Sequence, residues 1–250
     1  MAEIGVSPRG KEKEKEKEKV GIVVAGGSGI GAACVRELAA SGWRVVALSP
    51  SGRARLLAES LGGAGIDGSN TNVADLRATV NLAIEKFGRI DAVINNSGHA
   101  ARSRLLDLSD DDWLHGMNLY LLNVVRMTRL VTPHLLASGG GSIVNISTAG
   151  AFEPNQMFPI STTLRAALGS FTKLYADEYG PQGIRMNNVL PGFTKDDPTA
   201  VPPEWTTKIP LRRAQSTAEL ARVVRFLASD ESAYITGQNL RVDGGETRSV

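Results

Sequence analysis

Few side chains in this 250-residue sequence carry chemistry of their own. Ser161 and Arg165, in "FPISTTLRAAL" (158–168), stand four residues apart where a helical stretch begins, so they share one face. Neither suits proton donation near neutral pH. A serine hydroxyl is far less acidic than a phenol, and a guanidinium keeps its proton. His99 directly follows "NNSG" (95–98), and imidazole titrates in the range that suits a general acid. Glu153 follows the run "GSIVNIST" (141–148) and is a further titratable candidate. Tyr120 is expected to point elsewhere, and Tyr175 and Tyr179 lie too far down the helix from Ser161. His115, His134 and Cys34 read as surface or packing residues. No His, Cys and carboxylate residues gather closely, so no metal is expected.

A second constellation is "VVAGGSGIG" (23–31), an apolar run, a glycine turn and a helix opening. Gly26, Ser28, Gly29, Ile30 and Gly31 make the turn. Glycines let backbone approach a pyrophosphate, and a helix N-terminus presents free N–H groups and partial positive charge to it. A site for NAD usually places an acid about 20 residues further on, against the ribose. Here Ser49 stands there, followed by Ser51 and Arg53, which could hold a 2′-phosphate that a carboxylate would repel. NADP is the expected cofactor, with NAD as the alternative if Arg53 and Arg55 are only a solvated helix face.

These residues need positioning elements. "VGIVVA" (20–25), "WRVVAL" (43–48), "IDAVINN" (90–96), "GSIVNIS" (141–147), "IRMNNVL" (184–190) and "QNLRVD" (238–243) read as buried strands. Helical stretches run to about Ala40 before Gly42, from Asp75 to Phe87, from Ser109 to about Leu136 and from Ser161 to Tyr179. A last helix starts at the capping box of Ser216 and Glu219. Strands alternating with helices predict an α/β fold, a doubly wound, Rossmann-like parallel sheet with helices on both faces. The proline-rich stretch 193–213 is too long for a plain connection and suggests a lid over substrate.

Composition limits the rest. The net charge is +2, and the first nineteen residues hold six basic and five acidic side chains. The remainder is nearly neutral, so no nucleic-acid or membrane surface is implied. "KEKEKEKEK" (11–19) buries nothing, so 1–19 is expected as a solvated, disordered tail ahead of a single domain over 20–250. One cysteine fits a reducing compartment, no apolar run approaches the roughly 18 residues of a membrane span, and the charged N-terminus lacks a signal sequence's apolar segment. A cytoplasmic chain is expected.

Taken together, "GGSGIG" (26–31), "NNSG" (95–98), "MNLYLL" (117–122), "GSIVNIST" (141–148), "NNVLPG" (187–192) and "YITGQNLRVDGG" (234–245) resemble the short-chain dehydrogenase/reductase family, in the small single-domain form of 3-oxoacyl-ACP reductases. The resemblance implies seven strands, a nicotinamide cofactor at their carboxyl ends, a small-molecule substrate and a homo-oligomer, tetramer or dimer. It assigns Gly26, Gly29 and Gly31 to the three loop glycines, or Ala25 to the first if no residue is missing. Asn72 and Val73 fall at the adenine, Asn95, Ser97 and Gly98 beside the ribose, and Pro191 and Gly192 beside the nicotinamide. Asn118 matches the asparagine that helps hold a proton-relay water.

The same resemblance places a tyrosine and a lysine four residues apart on the catalytic helix. Ser161 stands at the tyrosine and Arg165 at the lysine. Thirteen residues before Ser161, Thr148 takes the place of the carbonyl-orienting serine, and Ser147 is expected to point the other way. The expected activity is NAD(P)-dependent hydride transfer with a non-standard proton donor, His99 the first substitute. The alternative is a nucleotide-binding relative that has lost turnover and acts by binding or scaffolding. A lyase similar to halohydrin dehalogenases also carries Arg at the lysine position. Such enzymes keep the tyrosine and lose the glycine loop, the reverse of this chain.

Overall fold

The computed structural model describes residues 18–249, so the lead-in over 1–17 lies outside the described residues. Glu18 and Lys19, the end of that lead-in, are anchored: Glu18 accepts from Arg44 and Lys19 pairs with Asp230.

The apolar runs form strands covered on both faces. These are β1 (Val20–Val24), β2 (Arg44–Ser49), β3 (Ala64–Asp67), β4 (Ala92–Asn95), β5 (Gly141–Ile146), β6 (Ile184–Pro191) and β9 (Asn239–Val242). They make one parallel seven-stranded sheet in the order β3-β2-β1-β4-β5-β6-β9. Alternate residues face opposite layers: Val23 packs with helices α1 (Gly29–Ala40) and α7 (Thr217–Ala228), while Ile22 and Val24 pack toward α3 (Val73–Phe87), α5 (Asn123–Ala137) and α6 (Pro159–Tyr179). The strand order reverses between β1 and β4, which opens a crevice at their carboxyl ends.

Six of the seven strands coincide with apolar runs, and β3 does not. Its sequence is AGID, and a Cβ at Gly65 would stand 2.4 Å from Cα of Arg55. Helix α2 (Arg53–Ser60) therefore crosses this strand closely, and glycine replaces the β-branched residue that would mark it. The long helix expected over 109–136 is α4 (Asp110–Met117), a π turn (Asn118–Leu122) and α5 in succession. Ser109 and Asp112 cap it reciprocally. Helix α6 starts at Pro159 rather than Ser161, with proline at a first-turn position where its missing N–H costs nothing. The stretch 193–213 carries β7 (Thr194–Lys195), which pairs with β8 (Gln215–Ser216), and short 3₁₀ turns between them.

One polar feature crosses the core. Asn95, Asn145, Asn188 and Asn239 are in-register partners on β4, β5, β6 and β9. Asn95 donates to Asn145 at 2.9 Å, Asn145 to Asn188 at 2.9 Å, and Asn188 to Asn239 at 2.7 Å. Thr172 of α6 donates to Asn188 as well.

Candidate active site

The glycine turn between β1 and α1 is the first wall of the crevice. Ala25 adopts φ 52°, a left-handed conformation that favours glycine. Gly29 also has a positive φ, and a Cβ built there meets nothing within 4 Å. The N-terminus of a twelve-residue helix therefore opens onto free space, which fits a pyrophosphate. Gly31 is needed for closeness, because its Cβ would stand 2.1 Å from the Ala25 carbonyl oxygen. Ser28 makes no side-chain capping bond, and Ile30 packs into the core behind the turn.

The second wall is the β2–α2 loop. Ser49 is buried; its hydroxyl accepts from the Ala54 N–H and lies against Gly27. It thus holds the loop, while Ser51 and Arg53, joined at 3.2 Å, are the side chains left facing out. Asp67 is the nearby acid, and Arg55 binds it at 3.0 Å. Beyond β3, Asn72 caps α3, its side chain accepting from the Ala74 N–H, with Val73 beginning the helix. Asn70, unremarked in the sequence, reaches the β4 turn by donating to the Asn96 carbonyl. The Asn96 amide in turn donates to the Ala25 carbonyl, tying the two turns together.

Asn95 stands at the end of β4, but its side chain is committed to the asparagine row inside the sheet. Ser97 and Gly98 follow it toward the crevice, and Gly98 has open space where a Cβ would be. Pro191 ends β6, and Gly192 passes so close to Asp243 that a Cβ would stand 2.8 Å from its Cα.

Helix α6 brings Arg165 to this turn. Arg165 is 8% exposed, donates to the Ile146 carbonyl and to Ser97 at 2.9 Å, and lies over the Tyr120 ring. Burial pushes its guanidinium down to about 10, opposed by Tyr120 beside it. It therefore remains charged at neutral pH, and no carboxylate pairs with it among the described residues. One turn earlier, Ser161 lines a small pocket with His99, Arg102, Tyr120 and Phe158. Burial first, then the charges of Arg102 and Arg165, hold the His99 imidazole below its usual pKa.

Tyr120 corrects the sequence reading. It does not point elsewhere: the π turn adds a residue to the helical repeat and shifts the side-chain phase, and Tyr120 lands 3% exposed against Arg165. Asn118 takes the opposite course. Its side chain donates to the Leu114 carbonyl and accepts from Arg126, and it does not line the pocket. Gly116 lets Ile160 of α6 approach, since a Cβ there would stand 2.1 Å from the Ile160 side chain, and this seats the start of α6 beside the π turn.

Thr148 opens the 3₁₀ turn Ala149–Ala151 and accepts from the Gly150 N–H. That turn rests on Thr162 of α6, and Thr148 does not line the pocket. Ser147 is buried with its hydroxyl unpartnered. Glu153 is spent on the C-terminal backbone, accepting from Arg248 and Ser249, which lowers its pKa. Cys34 is buried packing, its thiol pushed up to about 12 by desolvation. A separate cavity of about 440 Å³ lies between the 193–215 segment and the end of β9, lined by Phe193, Ile209, Leu211, Arg241 and Asp243. Its lining includes Phe193, Ile209, Leu211 and Arg213 of the stretch expected as a lid, and none of the expected catalytic or cofactor residues.

A parallel doubly wound sheet with a glycine turn at its switch point defines a nucleotide-binding α/β protein. The family profile described as enoyl-(acyl carrier protein) reductase matches residues 24–247. The 3-oxoacyl-[acyl-carrier-protein] reductase FabG of Thermotoga maritima is 34% identical over 90% of this chain and 96% of its own. Oxidoreductase UcpA of Salmonella typhimurium is 32% identical over 90% and 93%. A solved mutant of a Serratia marcescens short-chain dehydrogenase/reductase superposes with a TM-score of 0.83 at 29% identity, covering 91% of this chain and 97% of that one. The chain belongs to the short-chain dehydrogenase/reductase family and is an oxidoreductase of that family.

Proposed function

We propose that the protein interconverts a small carbonyl compound and its alcohol with a nicotinamide cofactor, NADP before NAD, using a proton donor outside the helix pair 161 and 165. The observation that carries this reading is the bond from Arg165 to Ser97, which ties α6 to the cofactor turn with Ser161 facing the pocket. The open α1 N-terminus at Gly29 would take the pyrophosphate, Ser51 and Arg53 a 2′-phosphate, and Asn70 with Asn72 and Val73 would border the adenine. Arg165 would bind ribose oxygens, and Pro191 and Gly192 would flank the nicotinamide. When bound, the nicotinamide supplies or accepts the hydride. Thr148 would orient the carbonyl. Asn118 would help hold a proton-relay water, with its side chain bonded to Leu114 and Arg126. The small-molecule substrate, a cytoplasmic location and a dimeric or tetrameric assembly complete the proposal.

A second reading is a relative that binds nucleotide without turnover, favoured by the absence of an acid at Ser161 and by the two bonds that already hold Arg165 within the protein. Titration with NADPH and NADH by fluorescence, followed by a panel of carbonyl substrates, separates the two. Binding with turnover supports the first, and binding without turnover across the panel supports the second. A chain that binds neither cofactor sinks both.

A further inference from the structure

We infer that Tyr120 is the acid that protonates the carbonyl oxygen in this site, an inference that rests on the hydride-transfer reading above. The sequence offers no phenol on α6 within reach of the pocket, and the structure supplies one from the π turn instead. The Tyr120 hydroxyl accepts the Ala100 N–H at 2.7 Å, which leaves its own hydrogen free to donate. The Arg165 carbon stands 4.4 Å from its ring centroid, so a buried positive charge without a carboxylate partner faces the phenol. The backbone N–H sits at the oxygen that would bear charge once the proton has left, and the Arg165 charge lies over the ring.

The other groups facing Tyr120 do not replace it. Ser161 is too weak an acid, and Arg102 and Arg165 keep their protons. His99 lines the same pocket, and burial, then Arg102 and Arg165, lower its pKa, which favours a relay over the donor. The pocket in front of Tyr120 is about 10 Å³, room for roughly one water, and Arg102 stacked 4.5 Å over Phe158 stands at its edge. Substrate reaches the hydroxyl by displacing that pair.

The chemistry balances. With a reduced nicotinamide bound, hydride delivered to the carbonyl carbon would push the C=O π pair onto oxygen. The Tyr120 O–H bond would break as the alcohol O–H bond forms. The Tyr120 oxygen, held by the Ala100 N–H and faced by Arg165, would take a proton back from water through His99. The carbonyl would be reduced to the alcohol and the nicotinamide oxidised.

The test is Y120F in the full chain, with NADPH binding read by fluorescence and turnover read on a carbonyl the parent reduces. The expected result is unchanged NADPH affinity, unchanged KM and a kcat lower by about 10²–10⁴-fold. A Y120F that keeps its kcat overturns the inference and leaves the hydride-transfer reading standing. A Y120F that loses NADPH binding overturns it too, because Tyr120 then only positions Arg165. A parent chain that binds no cofactor and reduces nothing removes the reading itself, and the inference with it. If Y120F does not fold, 3-fluorotyrosine incorporated throughout keeps the hydroxyl and makes it more acidic. The alkaline limb of kcat should then move to lower pH, and a limb that stays in place overturns the inference.

Discussion

Arg165 and Tyr120 come from different helices and meet face to face, the guanidinium carbon 4.4 Å from the ring centroid. Arg165 is fixed from behind by the Ile146 carbonyl and from the side by Ser97. This contact joins the helix that carries Ser161 to the π turn that carries Tyr120. The pocket between them is therefore built by both elements.

That geometry makes an engineered tyrosine on α6 informative. In Y120F, adding S161Y and R165K places a phenol in the same pocket with an ammonium one turn behind it. Turnover lost in Y120F should return by about tenfold or more, within the usual range of general acid catalysis. NADPH consumption with a reducible carbonyl checks it. A triple variant that folds, binds cofactor and stays as slow as Y120F shows that residues 161 and 165 do not align with the pocket.

Much of this architecture is legible in the sequence because burial on both faces writes itself as continuous apolar runs. The glycine turn, the cap at Ser216 and six strands follow from such local signals. Strand β3 does not, because Gly65 answers the close crossing of α2 rather than the sheet. Tyr120 turns inward for a related reason: a π turn leaves no mark in a 3.6-residue repeat. Asn70 is invisible because its partner, the Asn96 carbonyl, lies in a turn that only the fold brings near.

Arg53 bears on cofactor choice. It donates to Ser51 at the rim of the β2–α2 loop, and the nearby Asp67 is bound by Arg55. Replacing Arg53 with Ala should weaken NADPH binding by roughly tenfold, about 1.4 kcal/mol, and leave NADH unchanged. Fluorescence titration with both cofactors measures this. Equal losses for both would assign Arg53 to the solvated face of α2.

Ala25 carries backbone strain. Its φ of 52° costs an L residue about 1–2 kcal/mol, and glycine adopts it freely at some entropic cost in the unfolded chain. A25G should therefore raise stability by roughly 0.5–1 kcal/mol, read as a higher urea midpoint with unchanged slope. Gly31→Ala should do the reverse and severely, since its Cβ would meet the Ala25 carbonyl at 2.1 Å.

The asparagine row predicts a gradient of cost across the sheet. Asn145 accepts from Asn95 and donates to Asn188 and Thr172, all buried. N145L strands the Asn95 amide in the core and should cost about 3 kcal/mol, as expected for unsatisfied buried polar groups. N239A removes the half-buried end of the row and should cost about 1 kcal/mol. Urea unfolding of the two variants tests the order, and equal costs would mean the row acts as separate pairs.

Glu219 makes stability depend on acid. Arg213 first, then the Ser216 N–H, lower its pKa from 4.5 to about 2, and its carboxylate closes the capping box of α7. A depressed carboxylate stabilises the fold above the unfolded pKa, and that contribution fades as pH falls from about 4.5 toward 2. Arg213 is half exposed, so solvent screening reduces the effect to about 1 kcal/mol. E219Q should be less stable than the parent at pH 7, and the gap should close as pH drops through this window. Urea midpoints at several pH values measure it, and a gap that stays constant would assign the loss to the cap's hydrogen bonds rather than to the charge.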